Sequence, residues 1–160
     1  MRYSELYPED QGDFHPLAVG RNLFVDRVDR DVAQTILDNL GRSTAMMRVT
    51  QLRVLGGAMA RVPDHATAFA HRQSKIMVNV GAVYGSLDEE SVHEDWVERS
   101  AASLRQDDRC SYVNFVGGEH EEQVHAAYPQ ETWERLAAVK RRYDPHNLFR
   151  ANHNIPPAGG

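Results

Sequence analysis

Apolar residues recur with helical spacing from Asp29 to Leu40. Val32, Ile36 and Leu40 stand four apart, and Ala33 and Leu37 widen the stripe. This predicts a helix over 29–40, with Asp26 or Asp29 as its cap and Gly41 at its end. Ahead of it, Arg21 to Asp26 reads as a short strand, while residues 1–20 are punctuated by Pro8, Gly12, Pro16 and Gly20. Residues 46–55 read as a strand ended by a bend at Gly56-Gly57-Ala58. Pro63 to Thr67 is a turn, and Ala66–Ala70 a short strand. Lys75–Tyr84 is the clearest strand. Ile76, Val78, Val80, Ala82 and Tyr84 share one face, and Met77, Asn79, Gly81 and Val83 the other.

Ser86-Leu87-Asp88-Glu89 is a capping-box pattern, so a helix follows, with Val92, Trp96, Val97 and Leu104 inward. Ser111–Val116 then reads as a short strand before Gly117-Gly118, and Glu119–Ala127 as a short helix. Thr132–Arg142 is a further helix that turns Trp133, Leu136, Ala137 and Val139, or the stem of Lys140, inward. The predicted fold class is α+β, an antiparallel sheet with helices packed on one face and an irregular C-terminal tail laid over the body. One domain is expected: an N-terminal segment and first helix over 1–42, an α+β core over 43–142, and a tail over 143–160.

Charge narrows the function classes. With 18 Lys and Arg against 23 Asp and Glu, the formal net charge is −5, which argues against a nucleic-acid partner. The one local run of cations, Lys140-Arg141-Arg142, sits where a helix C-terminus favours it. No apolar run is long enough to cross a bilayer, so no membrane partner is expected. The start of the chain carries acid and lacks the apolar stretch of a signal peptide. A lone cysteine, Cys110, excludes an internal disulfide framework and fits a reducing compartment. The expectation is a cytoplasmic protein.

Few residues are placed for chemistry. On a strand over 111–116, Tyr112 and Asn114 share one face and Val113 and Phe115 the other. A phenol beside an amide can donate, accept, or act as a base if its phenolate is stabilised. The same pair can equally satisfy itself at a sheet surface, and spacing alone favours that reading. The histidines show neither His-Glu-x-x-His spacing nor a Cys-x-x-Cys partner, so no metal site is predicted. Gly56-Gly57 and Gly117-Gly118 lack the spacing of a phosphate-binding loop.

The end of the chain is the most specific stretch. Pro145, Pro156 and Pro157 bar regular structure there. Leu148, Phe149 and Ile155 ask for burial, and Asn147, Asn152 and Asn154 for hydrogen bonds. The run Arg135-Leu136 through Tyr143-Asp144-Pro145, then Asn147-Leu148-Phe149-Arg150, then Asn152-x-Asn154-Ile155-Pro156-Pro157, resembles the C-terminal signature of berberine-bridge-enzyme-like flavoprotein oxidases. Tyr112-x-Asn114 and Leu55-Gly56-Gly57-Ala58 followed by Ala68 to Arg72 agree with it, so the resemblance spans most of 43–157.

The resemblance implies FAD as cofactor, Tyr112 as the catalytic group that helps to deprotonate a substrate hydroxyl, and Asn114 lining the same cavity. It also implies that Asn152 and Asn154 close the flavin site, although His153 and Ala151 depart from the usual residues. Tyr84 and Asn79, on the clearest strand, are added as substrate-binding candidates, and Arg72 is read as a structural ion-pair partner. In that family the flavin's pyrophosphate cradle lies in a separate N-terminal domain that has no counterpart in this sequence. FAD is therefore expected only with a flavin-binding domain supplied from elsewhere. The implied partners are a small-molecule substrate and either a second copy, as a homodimer, or a separate flavin-domain chain. The leading reading is the substrate-binding portion of an FAD-linked oxidoreductase. The alternatives are a flavin-free domain that binds a small molecule or catalyses a cyclisation or isomerisation, and a non-catalytic assembly protein or decayed fragment.

Overall fold

A computed structural model describes residues 15–106, 112–115, 124–125, 127–151 and 153–159. Asn152, Cys110, the N-terminal aromatic residues and most of the helix expected over 119–127 lie outside the described residues. Six main elements follow in order: β1 (Leu17–Val25), α1 (Arg30–Arg42), β2 (Met47–Val54), β3 (Ile76–Tyr84), α2 (Glu90–Leu104) and α3 (Gln130–Tyr143). The fold is α+β, built on a three-stranded antiparallel sheet in the order β1-β3-β2.

The alternation along β3 sets the architecture. Val78, Val80, Ala82 and Tyr84 are buried beneath the helices, as are Leu23 and Val25 of β1. Against them pack Ile36 of α1 and Trp96, Val97, Ala101 and Leu104 of α2. Helix starts agree with the local chemistry. Asp29 caps α1 by accepting from the Val32 amide at 3.0 Å. Ahead of α2, a single 3-10 turn over Leu87–Glu89 closes the predicted capping box, with Glu89 accepting from the Ser86 amide at 3.2 Å.

Several expectations are corrected. The first strand is longer than Arg21–Asp26. Residues 64–66 form a 3-10 turn and no strand follows them before β3. Gly41 lies within α1, whose end is Ser43. Val92 is exposed, and His93 and Ser100 take the inward positions of α2 instead. The strand expected over 111–116 is replaced, across Val113–Phe115, by a 3-10 turn. Leu148 and Phe149 are exposed, so the tail is held by polar contacts more than by burial of its rings.

Those contacts converge on Asp144. Its carboxylate accepts from the amides of Leu148 at 2.8 Å and Phe149 at 3.0 Å and from Lys140 Nζ at 2.5 Å. Lys140 also donates to the Phe149 carbonyl at 2.6 Å. Asn147 adopts φ 50°, the left-handed conformation that asparagine tolerates best after glycine. Further on, the Ala158 amide returns to the Ala137 carbonyl at 3.1 Å, which lays the end of the tail on α3.

Candidate active site on the open face of the sheet

The face of the sheet opposite the helices is partly polar. The register aligns Asn22, Asn79 and Gln51 in one row across the three strands, and Phe24, Met77 and Arg53 in the next. Asn79 is half-buried, and its amide has no hydrogen-bond partner among the described residues. Gln51 accepts from Arg53 Nε at 2.8 Å. Asn22 has a different role. Its Oδ1 accepts from the Tyr112 amide at 2.5 Å and its Nδ2 donates to the Tyr112 carbonyl at 3.1 Å. One buried side chain thus clamps both peptide groups of Tyr112, as a neighbouring strand would.

The clamp sets the phenol beside the sheet. The turn over Val113–Phe115 brings the Asn114 side chain back, so that its Nδ2 donates to Tyr112 Oη at 2.7 Å. On a strand these two side chains would merely share a face; the tighter turn joins them directly. A donor aimed at the phenol oxygen stabilises negative charge there, which is what a tyrosine base requires.

A ring cluster forms one wall. His71 is buried, stacks on Phe24 with centroids 4.4 Å apart, and has its Nε2 3.2 Å from the Ala127 carbonyl. Phe69 meets both His71 and Tyr112 edge-on, at 5.6 Å in each case. Burial, and after it the nearby Tyr112 phenol, raise the pKa of Tyr128 above the ordinary phenolic value. Arg72 lies 5.2 Å over the Phe69 ring and donates to the Phe69 carbonyl at 3.1 Å and to Thr67 Oγ1 at 2.6 Å. The ion pair expected for Arg72 is not found among the described residues: its partners there are carbonyls, a hydroxyl and a ring.

The structure therefore brings Tyr112, Asn114 and Asn79 to one side of the sheet and separates Tyr84 from them. Tyr84 lies under α2, tilts against His93 at 5.0 Å and donates to Glu90 at 3.5 Å. Burial, with the Glu90 and Glu94 charges, pushes its pKa up. Strand parity already set Tyr84 opposite Asn79, so the two could not share a ligand. Asn22, His71 and Tyr128 escape sequence reasoning. For Asn22 the signal was present: an amide directly before the run Leu23-Phe24-Val25, on the parity of the open face. In the tail, Oδ1 of Asn147, Oδ1 of Asn154 and Nδ1 of His153 are buried without a hydrogen-bond partner among the described residues. Buried amide oxygens normally accept a hydrogen bond, and a buried imidazole nitrogen donates or accepts one according to its tautomer. No cluster of three metal-ligating side chains occurs among the described residues.

Comparison with known proteins agrees on one family. The family described as "Berberine and berberine like" matches residues 111–156. The FAD-linked oxidoreductase YgaK of Bacillus subtilis is 34% identical over 105 residues, which cover 66% of this chain and 23% of that protein. The (R)-6-hydroxynicotine oxidase of Paenarthrobacter nicotinovorans is 45% identical over 65 residues, 39% of this chain and 14% of that one. Among solved structures, the berberine bridge enzyme of Eschscholzia californica superposes with a TM-score of 0.76 at 20% identity, over 91% of this chain and 34% of that one. A glycopeptide hexose oxidase complexed with teicoplanin gives 0.74 at 22%, over 98% and 35%. At those identities the structures attest the fold alone. The chain spans about a quarter of the length of the first of these curated relatives.

Proposed function

Because the chain belongs to the berberine-bridge-enzyme-like FAD-linked oxidoreductases and matches only part of their length, we propose that it forms the substrate-facing half of an oxidase site whose flavin is held by polypeptide outside the described chain. The observation that carries this reading is the hydrogen bond of 2.7 Å from Asn114 to the phenol oxygen of Tyr112, on a turn clamped to the open face by Asn22.

In this reading a bound flavin supplies the acceptor for the hydride of a substrate carbinol carbon. Tyr112 takes the proton of the substrate hydroxyl as the carbonyl forms. Asn114 holds the phenolate lone pairs by donation, and Asn22 fixes the backbone from which the phenol projects. The unpartnered amide of Asn79 is available to orient a substrate hydroxyl or carbonyl. The ring wall of Phe24, Phe69 and His71 keeps water from that side of the pocket. Asn154 would suit the cofactor: its Oδ1, without a hydrogen-bond partner among the described residues, could accept from a flavin ring N–H or a ribityl hydroxyl. Asn152 is assigned the same neighbourhood by its place in the Asn-x-Asn pair.

The completing polypeptide would dock along β2. Met47, Val49, Leu52 and Val54 are exposed on both faces of that strand, and β2 pairs only with β3 among the described residues. A separate flavin-bearing chain fits this edge, and a second copy of this chain is the competing occupant.

The test is co-expression with a flavin-bearing domain, followed by bleaching of the visible flavin band with a panel of sugar, alkaloid and polyketide alcohols. A yellow complex that bleaches with one of these classes is expected. Tyr112→Phe should abolish bleaching and leave the unfolding midpoint unchanged. Full activity of Tyr112→Phe would remove the phenol from the mechanism, and a colourless protein that still binds one of these alcohols would replace the oxidase reading with a flavin-free one.

A further inference from the structure

On the other side of the sheet, α1 and α2 enclose a cleft of about 410 Å³. The last turn of α1 and the link after it contribute Arg42 and Ser43, and one face of α2 contributes His93, Trp96, Arg99 and Ser100. The walls are pinned to each other. Trp96 Nε1 donates to the Asn39 carbonyl at 2.9 Å, and Asn39 Nδ2 donates to Ser103 Oγ at 2.9 Å. The cleft is thus preformed, and its volume falls in the range of small-molecule sites.

Its polar groups are mainly donors. No aspartate or glutamate lines it, in a chain with more acidic than basic residues. Arg42 forms no ion pair among the described residues, and Arg99 is paired with Asp95 one turn before it on the same helix. His93 and Ser100 are each only 2% exposed. The His93 ring rests on Tyr84, yet neither its nitrogens nor the Ser100 hydroxyl has a hydrogen-bond partner among the described residues. Two guanidiniums on the rim and unspent donors below them make a site for negative charge.

We propose that this cleft binds a small organic oxyanion, a carboxylate or a phosphate ester, with its charge between Arg42 and Arg99 and its body against Trp96. The site is separate from the open face and does not depend on flavin chemistry. It gives the helical layer a ligand of its own.

The test uses the full chain carrying Trp133→Phe, which leaves Trp96 as the sole indole. The chain is titrated at constant ionic strength with inorganic phosphate, with benzoate, and with neutral benzamide. A saturable change in Trp96 fluorescence with at least one anion, and none with benzamide, is expected. Saturation by phosphate alone assigns a phosphate ester, and by benzoate alone a carboxylate. Arg42→Gln and Arg99→Gln should each weaken binding by about tenfold, while Arg141→Gln, exposed on α3, should leave it unchanged. Calorimetry on the unsubstituted chain repeats the titration should Trp133→Phe fail to fold. Absence of saturation by either anion, an equal response to benzamide, or an equal loss in Arg141→Gln overturns the proposal.

Discussion

Asp144 organises the tail through three hydrogen-bond donors, Lys140 Nζ and the amides of Leu148 and Phe149. The hydrogen bond from Lys140 lowers its pKa most, the amides of Leu148 and Phe149 add to this, and burial opposes them. A carboxylate whose pKa is lowered on folding contributes stability that is complete above the ordinary carboxylate range, and that contribution is lost as pH falls through the lowered value. The tail should therefore stay pinned at neutral pH and loosen only in strong acid. The measurement is the protection factor of the Leu148 and Phe149 amides against pH. It should fall below about pH 4 in the parent protein, and be low at every pH in Asp144→Ala. A flat, high protection in that variant would show that other contacts hold the segment. At this scale the sequence is uneven in what it reveals. The pairing of Tyr112 with Asn114 was legible as a motif, but their direct hydrogen bond was not, since it depends on a turn in place of a strand. The role of Asn22 was half legible: its parity set the amide on the open face, but its partner lies ninety positions away and leaves no local sign.

Elements were legible where periodicity is strong and ambiguous where polar side chains face inward. The alternation of β3 and the cap of α1 appear as the pattern predicts. In α2 the hydropathy pattern selects Val92, while the helix turns His93 and Ser100 inward, onto the phase of Trp96, Val97, Ala101 and Leu104. Buried polar groups on a helix are indistinguishable by hydropathy from a solvated face, so Val92 was added to a stripe that Trp96, Val97 and Leu104 had otherwise placed correctly. The aromatic rings separate likewise. Phe24 is 1% exposed in β1 and Phe149 is 83% exposed in the tail. Phe24→Ala should destabilise the fold by about 3–5 kcal/mol in chemical denaturation, and Phe149→Ala by no more than about 0.5 kcal/mol. A large loss for Phe149→Ala would mean that the ring is covered in solution by something beyond the described residues.

For the molecule as a whole, burial is lopsided. One face of the sheet has a helical layer and the β1 side carries the Tyr112 clamp, but β2 presents apolar side chains on both faces. Leu37 and Met46 extend that exposed zone onto α1 and the link after it. Under the proposed assembly this zone is where the flavin-bearing polypeptide docks. Val49→Lys with Leu52→Lys places a charge on each face of the edge and should abolish co-sedimentation with that polypeptide in analytical ultracentrifugation. Because both positions are exposed, the unfolding free energy should change by less than about 1 kcal/mol. Undiminished association would move the interface elsewhere, and loss of a homodimer in place of a heterocomplex would identify the second copy as occupant. That a flavin-binding domain is supplied from elsewhere was an expectation drawn from the resemblance; which strand would receive it was not legible, because strand order depends on pairing between segments distant in sequence.

The Asn22 clamp joins residues ninety positions apart. Closing so long a loop from an unfolded chain is entropically unfavourable, whereas antiparallel pairing of β1 with β3 shortens the effective loop before the amide engages. The Tyr112 clamp should therefore close late in folding, after β1 and β3 have paired. Local opening that breaks the two Asn22 hydrogen bonds should free Tyr112 while the core beneath the helices stays closed.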